Sequence, residues 1–292
     1  MFQIKKLTAI LSVLFCALLI SPLCSVAQNP GHPDWTRSFP AFRIAGNLYY
    51  VGSWELGSYL IVTDQGNILI NTGVASSASM IKTNIESLGF RLEDTKILLT
   101  SQAHNDHVGA MAEIKKLTGA KFFADKGDSA VLADGGRSDY AQAGNFAPVD
   151  VDRYLYDGDT IRLGNMNLIM LHHPGHTKGS CSFIFTVSDD QRSYRVLLAN
   201  LPTIITEKKF SALTGYPTIA SDYAYTLASL RKIRFDIWLT PHASQFDLHK
   251  KYKPDDGYRP ESFIERKTFN SVIESLQAEY SKKLAEDARA EH

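Results

Sequence analysis

The chain has 292 residues, with 31 Lys and Arg balanced by 31 Asp and Glu, and 44% of its residues are hydrophobic. With no net positive field, it lacks the electrostatic basis of a nucleic-acid partner. Its ordinary globular composition excludes disordered, collagen-like and disulfide-scaffold classes, and the length allows a substantial core.

The amino terminus differs from the rest. Lys5 and Lys6 precede an apolar run from Leu7 to Ile20, and Ser25-Val26-Ala27 supplies small residues for a cut. This is the form of a secretory signal peptide, and the run falls short of the roughly 20 apolar residues that a membrane span needs. Cys24 raises a lipoprotein alternative, but Pro22 and Leu23 are not the small residues a lipidation site prefers. Cleavage after Ala27 would leave residues 28–292 as one mature domain, soluble and without stable membrane association, in the periplasm. Its net charge would be −2, because the leader takes two lysines and no acids. Cys16 and Cys24 would leave too. Cys181 then stands alone in an apolar run and reads as a buried strand thiol, with no disulfide possible within the chain.

Along the mature chain, residues 42–71 show short β-branched and aromatic runs punctuated by Gly46, Gly52, Gly57 and Gly66, the pattern of hairpins. A helix is expected near 76–88, buried through Ile81, Ile85 and Leu88 and stopped by Gly89. The apolar strand 97–99 follows, then a helix near 109–118 buried through Ala110, Ile114 and Leu117, and a strand at 121–124. Further strands are expected at 160–171, 180–187 and 193–199, with Asp189-Asp190 as a turn. A helix near 222–233 precedes the strand 237–239. Residues 260–288 carry Phe269, Val272, Ile273, Leu276, Tyr280 and Leu284 at helical spacing, a core-packing stripe. Two strand-rich halves with interleaved helices predict an α/β fold of two packed sheets with helices outside.

Three loops carry chemistry, and each follows an apolar strand. They are Gln102-Ala103-His104-Asn105-Asp106-His107, His172-His173-Pro174-Gly175-His176, and Thr240-Pro241-His242. Strand C-termini are where α/β folds build sites. Six of the nine histidines fall in these loops, and imidazole with carboxylate is the usual donor set of zinc. A solvated polar loop with incidental histidines is the plain alternative for the first segment.

The combination resembles the metallo-β-lactamase superfamily, whose first motif is His-x-His-x-Asp-His, followed by single histidines after two later strands. More narrowly, the phrases around Phe42 to Gly73, His173 to Ser182 and His242 to Phe246 resemble the GOB lineage of subclass B3. That lineage shares the glutamine found here at position 102. The resemblance implies the αβ/βα four-layer sandwich and one or two zinc ions. Gln102, His104 and His176 would hold the first ion, and Asp106, His107 and His242 the second. The bridging aspartate of many relatives is missing, since the matching stretch is Ala199-Asn200-Leu201. That counts against thioesterase, lactonase and nuclease relatives. Leu201 replaces a serine that many relatives carry, which puts part of their carboxylate recognition in doubt.

The implied activity is zinc-dependent hydrolysis of the β-lactam amide in penicillins, cephalosporins and carbapenems, conferring antibiotic resistance, by a monomer. Asp106 would be the catalytic residue that orients the nucleophile. An amide oxygen is a poorer zinc donor than imidazole, so the pocket of Asp106, His107 and His242 is expected to bind more tightly. Trp54 and Leu56 are candidates for an apolar substrate wall. Thr203, Lys208, Lys209 and Tyr216 lie in a long segment expected to border the site. Asn71-Thr72-Gly73 is expected to bond loop backbone near it. His172 and His173 read as structural, and His249 as a surface residue. Another metal-dependent hydrolase of this fold and a non-catalytic zinc binder are the alternatives.

Overall fold

The computed structural model describes residues 32–289, so the expected signal peptide at 1–27 lies outside the described residues. The first sheet runs β1 (Phe42–Ala45), β2 (Leu48–Tyr50), β3 (Tyr59–Thr63), β4 (Gly66–Ile70), β5 (Thr95–Leu99), β6 (Lys121–Asp125) and β7 (Arg153–Leu155), in that spatial order. Neighbours from β1 to β4 are antiparallel, and those from β4 to β7 are parallel. Between its strands lie α1 (Ala78–Ser87), α2 (Asn105–Val108), α3 (Met111–Thr118) and α4 (Ser129–Asp134). The second sheet contains β8 (Thr160–Leu163), β9 (Met166–His172), β10 (Cys181–Ser188), β11 (Ser193–Leu198) and β12 (Ile237–Leu239), ordered β12-β11-β10-β9-β8. With it go α5 (Ile219–Leu230), α6 (Leu248–Lys251) and α7 (Lys267–Arg289).

Alternation along the strands makes the layers. Ile68, Ile70, Ile97 and Leu99 join one buried cluster with Leu168, Met170, Phe183, Phe185, Val196 and Leu198 of the second sheet. Their neighbours Leu69 and Leu98 point to the opposite face and pack with Ile81 and Ile85 of α1 and Met111 and Ile114 of α3. On the second sheet, the Trp238 ring meets Phe269 of α7 edge-on at 5.2 Å. Burying each such leucine or phenylalanine side chain contributes about 1.5–3 kcal/mol. The order helix, sheet, sheet, helix is the expected four-layer sandwich.

Several local expectations are corrected. The stretch 160–171 is not one strand but a hairpin, because Gly164 at φ 53° turns the chain between β8 and β9. The helix expected at 109–118 is α3, beginning at Met111, and the polar loop before it contains a short helix of its own, α2. Leu117 is 53% exposed rather than buried, since the packed face of α3 stops at Ile114. The last helix begins at Lys267, after a short 3-10 turn at Pro260–Phe263, and Leu284 is exposed. Strand β7 and helix α4 were not anticipated. Among the described residues, no helix is long and apolar enough to cross a membrane.

Candidate metal centre

Three strands deliver the histidine loops to one end of the sandwich: β5 of the first sheet, and β9 and β12 of the second. The loop after β5 is fixed from beneath. Asn71, at φ 61°, accepts a hydrogen bond from Ser101 N at 2.9 Å through its Oδ1. Thr72 N and Oγ1 both donate to His107 O, at 2.8 and 3.2 Å. The expected backbone-bonding role of Asn71-Thr72-Gly73 is what the structure displays. After β9, Gly175 at φ 131° allows the sharp bend, and a side chain there would meet the Tyr223 ring at 3.1 Å.

Asp106, His107 and His242 converge. Asp106 Oδ2 lies 3.4 Å from His107 Nε2 and 3.4 Å from His242 Nε2, and the three ligating atoms fall within 4.8 Å of one another. A tetrahedral zinc ion with bonds of about 2.0–2.1 Å spaces its ligands by roughly 3.3–3.4 Å, which both distances from Asp106 match. Beside it, the rings of His104 and His176 stand 5.0 Å apart, centroid to centroid. Gln102 Oε1 is buried with no hydrogen-bond partner among the described residues, while its Nε2 touches His107 Nε2. An orphaned buried acceptor costs about 1–3 kcal/mol, a cost that a bound cation would offset. The donor chemistry therefore fits metal in both pockets.

Three of the four imidazoles are oriented from behind. His176 Nδ1 lies 2.8 Å from Thr203 O and 3.0 Å from Thr203 Oγ1, leaving Nε2 for the pocket. His104 Nε2 is 3.5 Å from Asp139 Oδ2, and His242 Nδ1 is 3.5 Å from Glu55 Oε1. Glu55 is itself anchored by Ser244 Oγ at 2.6 Å. These are the carboxylate and carbonyl partners that fix ligand orientation.

The protonation states follow from burial and neighbours. Burial alone would raise Asp106, but His107 and His242 hold its carboxyl well below the usual range. Burial pushes His176 down to about 3, with His104 adding to the effect, so it is neutral at pH 7. Burial also lowers His107, against the pull of Asp106. For His242, burial is outweighed by Asp106 and Glu55, which lift it to about 9. In the same way Asp139 overcomes burial at His104 and raises it.

Trp54 has both ring faces covered, by the Arg37 guanidinium at 3.6 Å and by the His249 ring stacked at 3.8 Å. Leu56 is 2% exposed and bridges to His242 through its backbone. Tyr216 is equally buried, its Oη donating to Thr177 O at 3.2 Å. Thr203 backs His176. Leu56 and Tyr216 are buried, whereas Trp54 and Thr203 keep partial exposure. His249 is not a surface residue as expected but half-buried, with Nε2 2.9 Å from Trp54 O. His172 pairs with Asp125 at 2.7 Å, and His173 pairs with Ser182 and Ser229 at 2.7 and 3.0 Å. Asn200 N donates to Ser182 Oγ at 3.0 Å, and its amide nitrogen donates to Ser101 O at 3.3 Å. Cys181 is buried, as expected, with its thiol pushed well up by burial.

Four positioning groups escaped the sequence reading: Glu55, Asp128, Asp139 and Tyr140. Tyr140 Oη donates to His176 O at 3.0 Å. Asp128 joins the first and second histidine loops, and burial lifts its carboxyl to about 6 against the lowering effect of Thr177 and Gly179.

Comparison with known proteins agrees with this geometry. Residues 58–189 match the family model of the metallo-β-lactamase superfamily. The class B3 di-zinc metallo-β-lactamase LRA-12 from an Alaskan soil metagenome is 59% identical, covering 87% of this chain and 97% of that one at a TM-score of 0.85. GOB-18 from Elizabethkingia meningoseptica is 53% identical, over 87% of this chain and 96% of that one, at 0.86. A β-lactamase from Chitinophaga pinensis is 47% identical, over 89% and 99%, at 0.87. The hydroxyacylglutathione hydrolase of Rhodopseudomonas palustris (strain BisB5) is 29% identical over 119 residues, 41% of this chain. The chain spans only 38% of that relative's length. By this site, this sandwich and these full-length likenesses, the chain belongs to the class B3 metallo-β-lactamases.

Proposed function

We propose that this chain is a zinc-dependent β-lactamase that opens the amide bond of penicillins, cephalosporins and carbapenems. The observation that carries the reading is the Asp106, His107 and His242 cluster, at zinc-like spacing, in a chain aligned over 97% of a class B3 enzyme. Gln102, His104 and His176 would hold one ion, and Asp106, His107 and His242 another. Zinc bound there supplies a Lewis acid and lowers the pKa of water toward about 7.

The side chains supply the rest. Asp106 is ionised, and its carboxylate accepts a hydrogen bond from the attacking water and so directs it at the ring carbonyl. His104, His176 and His242 are held in orientation by Asp139, Thr203 and Glu55, which limits reorganisation during the reaction. Cys181, the one cysteine among the described residues, is buried with its thiol pushed well up, which leaves it unsuited to act as a nucleophile. The second pocket holds a carboxylate and two imidazoles against an amide and two imidazoles in the first, and is therefore the tighter of the two. The mature protein is a periplasmic monomer beginning at Gln28.

Purified protein should hydrolyse a chromogenic cephalosporin and lose that activity to a chelator. Zinc binding without turnover would leave a non-catalytic binder. Thioester hydrolysis is a second reading, favoured by the partial likeness to hydroxyacylglutathione hydrolases. A glutathione thioester assayed beside the cephalosporin separates the two. Mass spectrometry of the exported product finding a lipid on Cys24, or an uncut amino terminus, would defeat the proposed location.

A further inference from the structure

Asp128 does not behave as its place in the chain dictates. It stands immediately before α4, where an aspartate ordinarily accepts a hydrogen bond from the first turn of its own helix. Its side chain makes no such bond. Both carboxylate oxygens are turned to other loops. Oδ2 accepts from Ala103 N at 2.8 Å and from Thr177 Oγ1 at 2.8 Å, while Oδ1 accepts from Gly179 N at 2.7 Å. Two glycines let the backbones meet. A side chain at Gly179 would strike Asp128 N at 2.3 Å, and one at Gly127 would strike Lys178 O at 2.3 Å.

We infer that Asp128 is a positioning residue for the first metal pocket, holding the loop of Gln102 and His104 in register with the loop of His176. The inference rests on the ligand set proposed above. Ala103 lies between Gln102 and His104, and Thr177 follows His176, so the carboxylate binds backbone or side chain next to all three donors. Asparagine could not replace it. Its oxygen can serve one end of the bridge, but its amino group would then face a donor at the other. The second pocket has a separate support. Thr72 pins His107, Gly109 N donates to Gly73 O at 2.8 Å, and Glu55 backs His242.

Stepwise zinc and cobalt titration of the purified protein tests this, with His176→Ala and His242→Ala proteins as references for each pocket. Asp128→Asn should weaken the first pocket about 10–100-fold, the range seen when a ligand's orienting partner is lost. The second pocket should keep its affinity. Equal weakening of both pockets together with a fall in melting temperature would mean a merely structural role, and no weakening would mean none. Either result overturns the inference. If Asp128→Asn does not fold, Thr177→Val removes one donor and preserves shape. A smaller loss confined to the first pocket is then expected, and a wild-type titration overturns the inference. Wild-type protein that fails to distribute zinc over two pockets would instead overturn the ligand set, a result visible before any variant is made.

Discussion

In the proposed first pocket, Gln102, His104 and His176 come from two loops that share Asp128, whereas in the proposed second, Asp106 and His107 ride a helical turn above Thr72 and His242 stands on a third loop backed by Glu55. The donors differ as well. The first pocket offers an unpartnered amide oxygen, and the second offers a carboxylate held ionised by two histidines. The two sites touch through Gln102 and His107, and His104 feels the charge of Asp106, but the side chains that back them, Asp128 and Asp139 on one side and Thr72 and Glu55 on the other, are separate. A change behind one pocket need not be felt in the other.

The largest test of this separation is Asp106→Ala. Removing the carboxylate should cut cephalosporin turnover about 10³-fold, as loss of a positioned acid–base group does, and empty the second pocket while thermal unfolding remains cooperative. Near-wild-type turnover in a folded variant would strip Asp106 of its role. A mirrored pair comes next. Asp139→Asn should weaken the first pocket about 10-fold, and Glu55→Gln the second by a similar factor, each leaving the other alone. Metal titration showing both variants acting on the same pocket would break the comparison.

Gln102→His should tighten the first pocket and change kcat only a few-fold, since imidazole is the better donor. Equal affinities in the wild-type protein, or first filling of the Gln102 pocket, would refute the ranking. The smallest effect lies away from both pockets. Asp152 sits 2.7 Å from Lys115 and 3.1 Å from Lys121. Burial raises its carboxyl, but Lys115, Phe122 N–H and Lys121 together outweigh it and bring it to about 2, below the usual 3.8. Its stabilisation is full above about pH 4 and disappears as pH falls through 2. Asp152→Asn should thus cost about 0.5–1 kcal/mol in urea unfolding at pH 7, with a gap that closes in acid and no change in zinc binding.

The proposed ligands were legible because their signals are local. Each loop directly follows an apolar strand and is marked by histidines a few positions apart, so neighbouring residues announce both position and chemistry. Asp128 was not legible, since its partners lie 25, 49 and 51 residues away and only the fold brings them together. Glu55 is separated from Ser244 by 189 residues. Trp54 suggested an open aromatic wall because a sequence shows an aromatic side chain but not what covers it. Here Arg37 and His249 cover both faces. The layered fold was readable from alternation, as Leu69 between Ile68 and Ile70 shows. Strand β7 was not, because two of its three residues are exposed and no period emerges.

The position of the centre across two sheets has a thermodynamic consequence. Gln102, His104, Asp106 and His107 follow a strand of the first sheet, while His176 and His242 follow strands of the second. An ion in either pocket would bond both sheets at once and act as a staple between the halves of the chain. Stability would then rise with free zinc by mass action, gaining about 2.7 kcal/mol for an ion present at 100 times its Kd. A cell starved of zinc would hold a chain that opens more often as well as one that turns over less. Proteases that sample open states would clear it sooner.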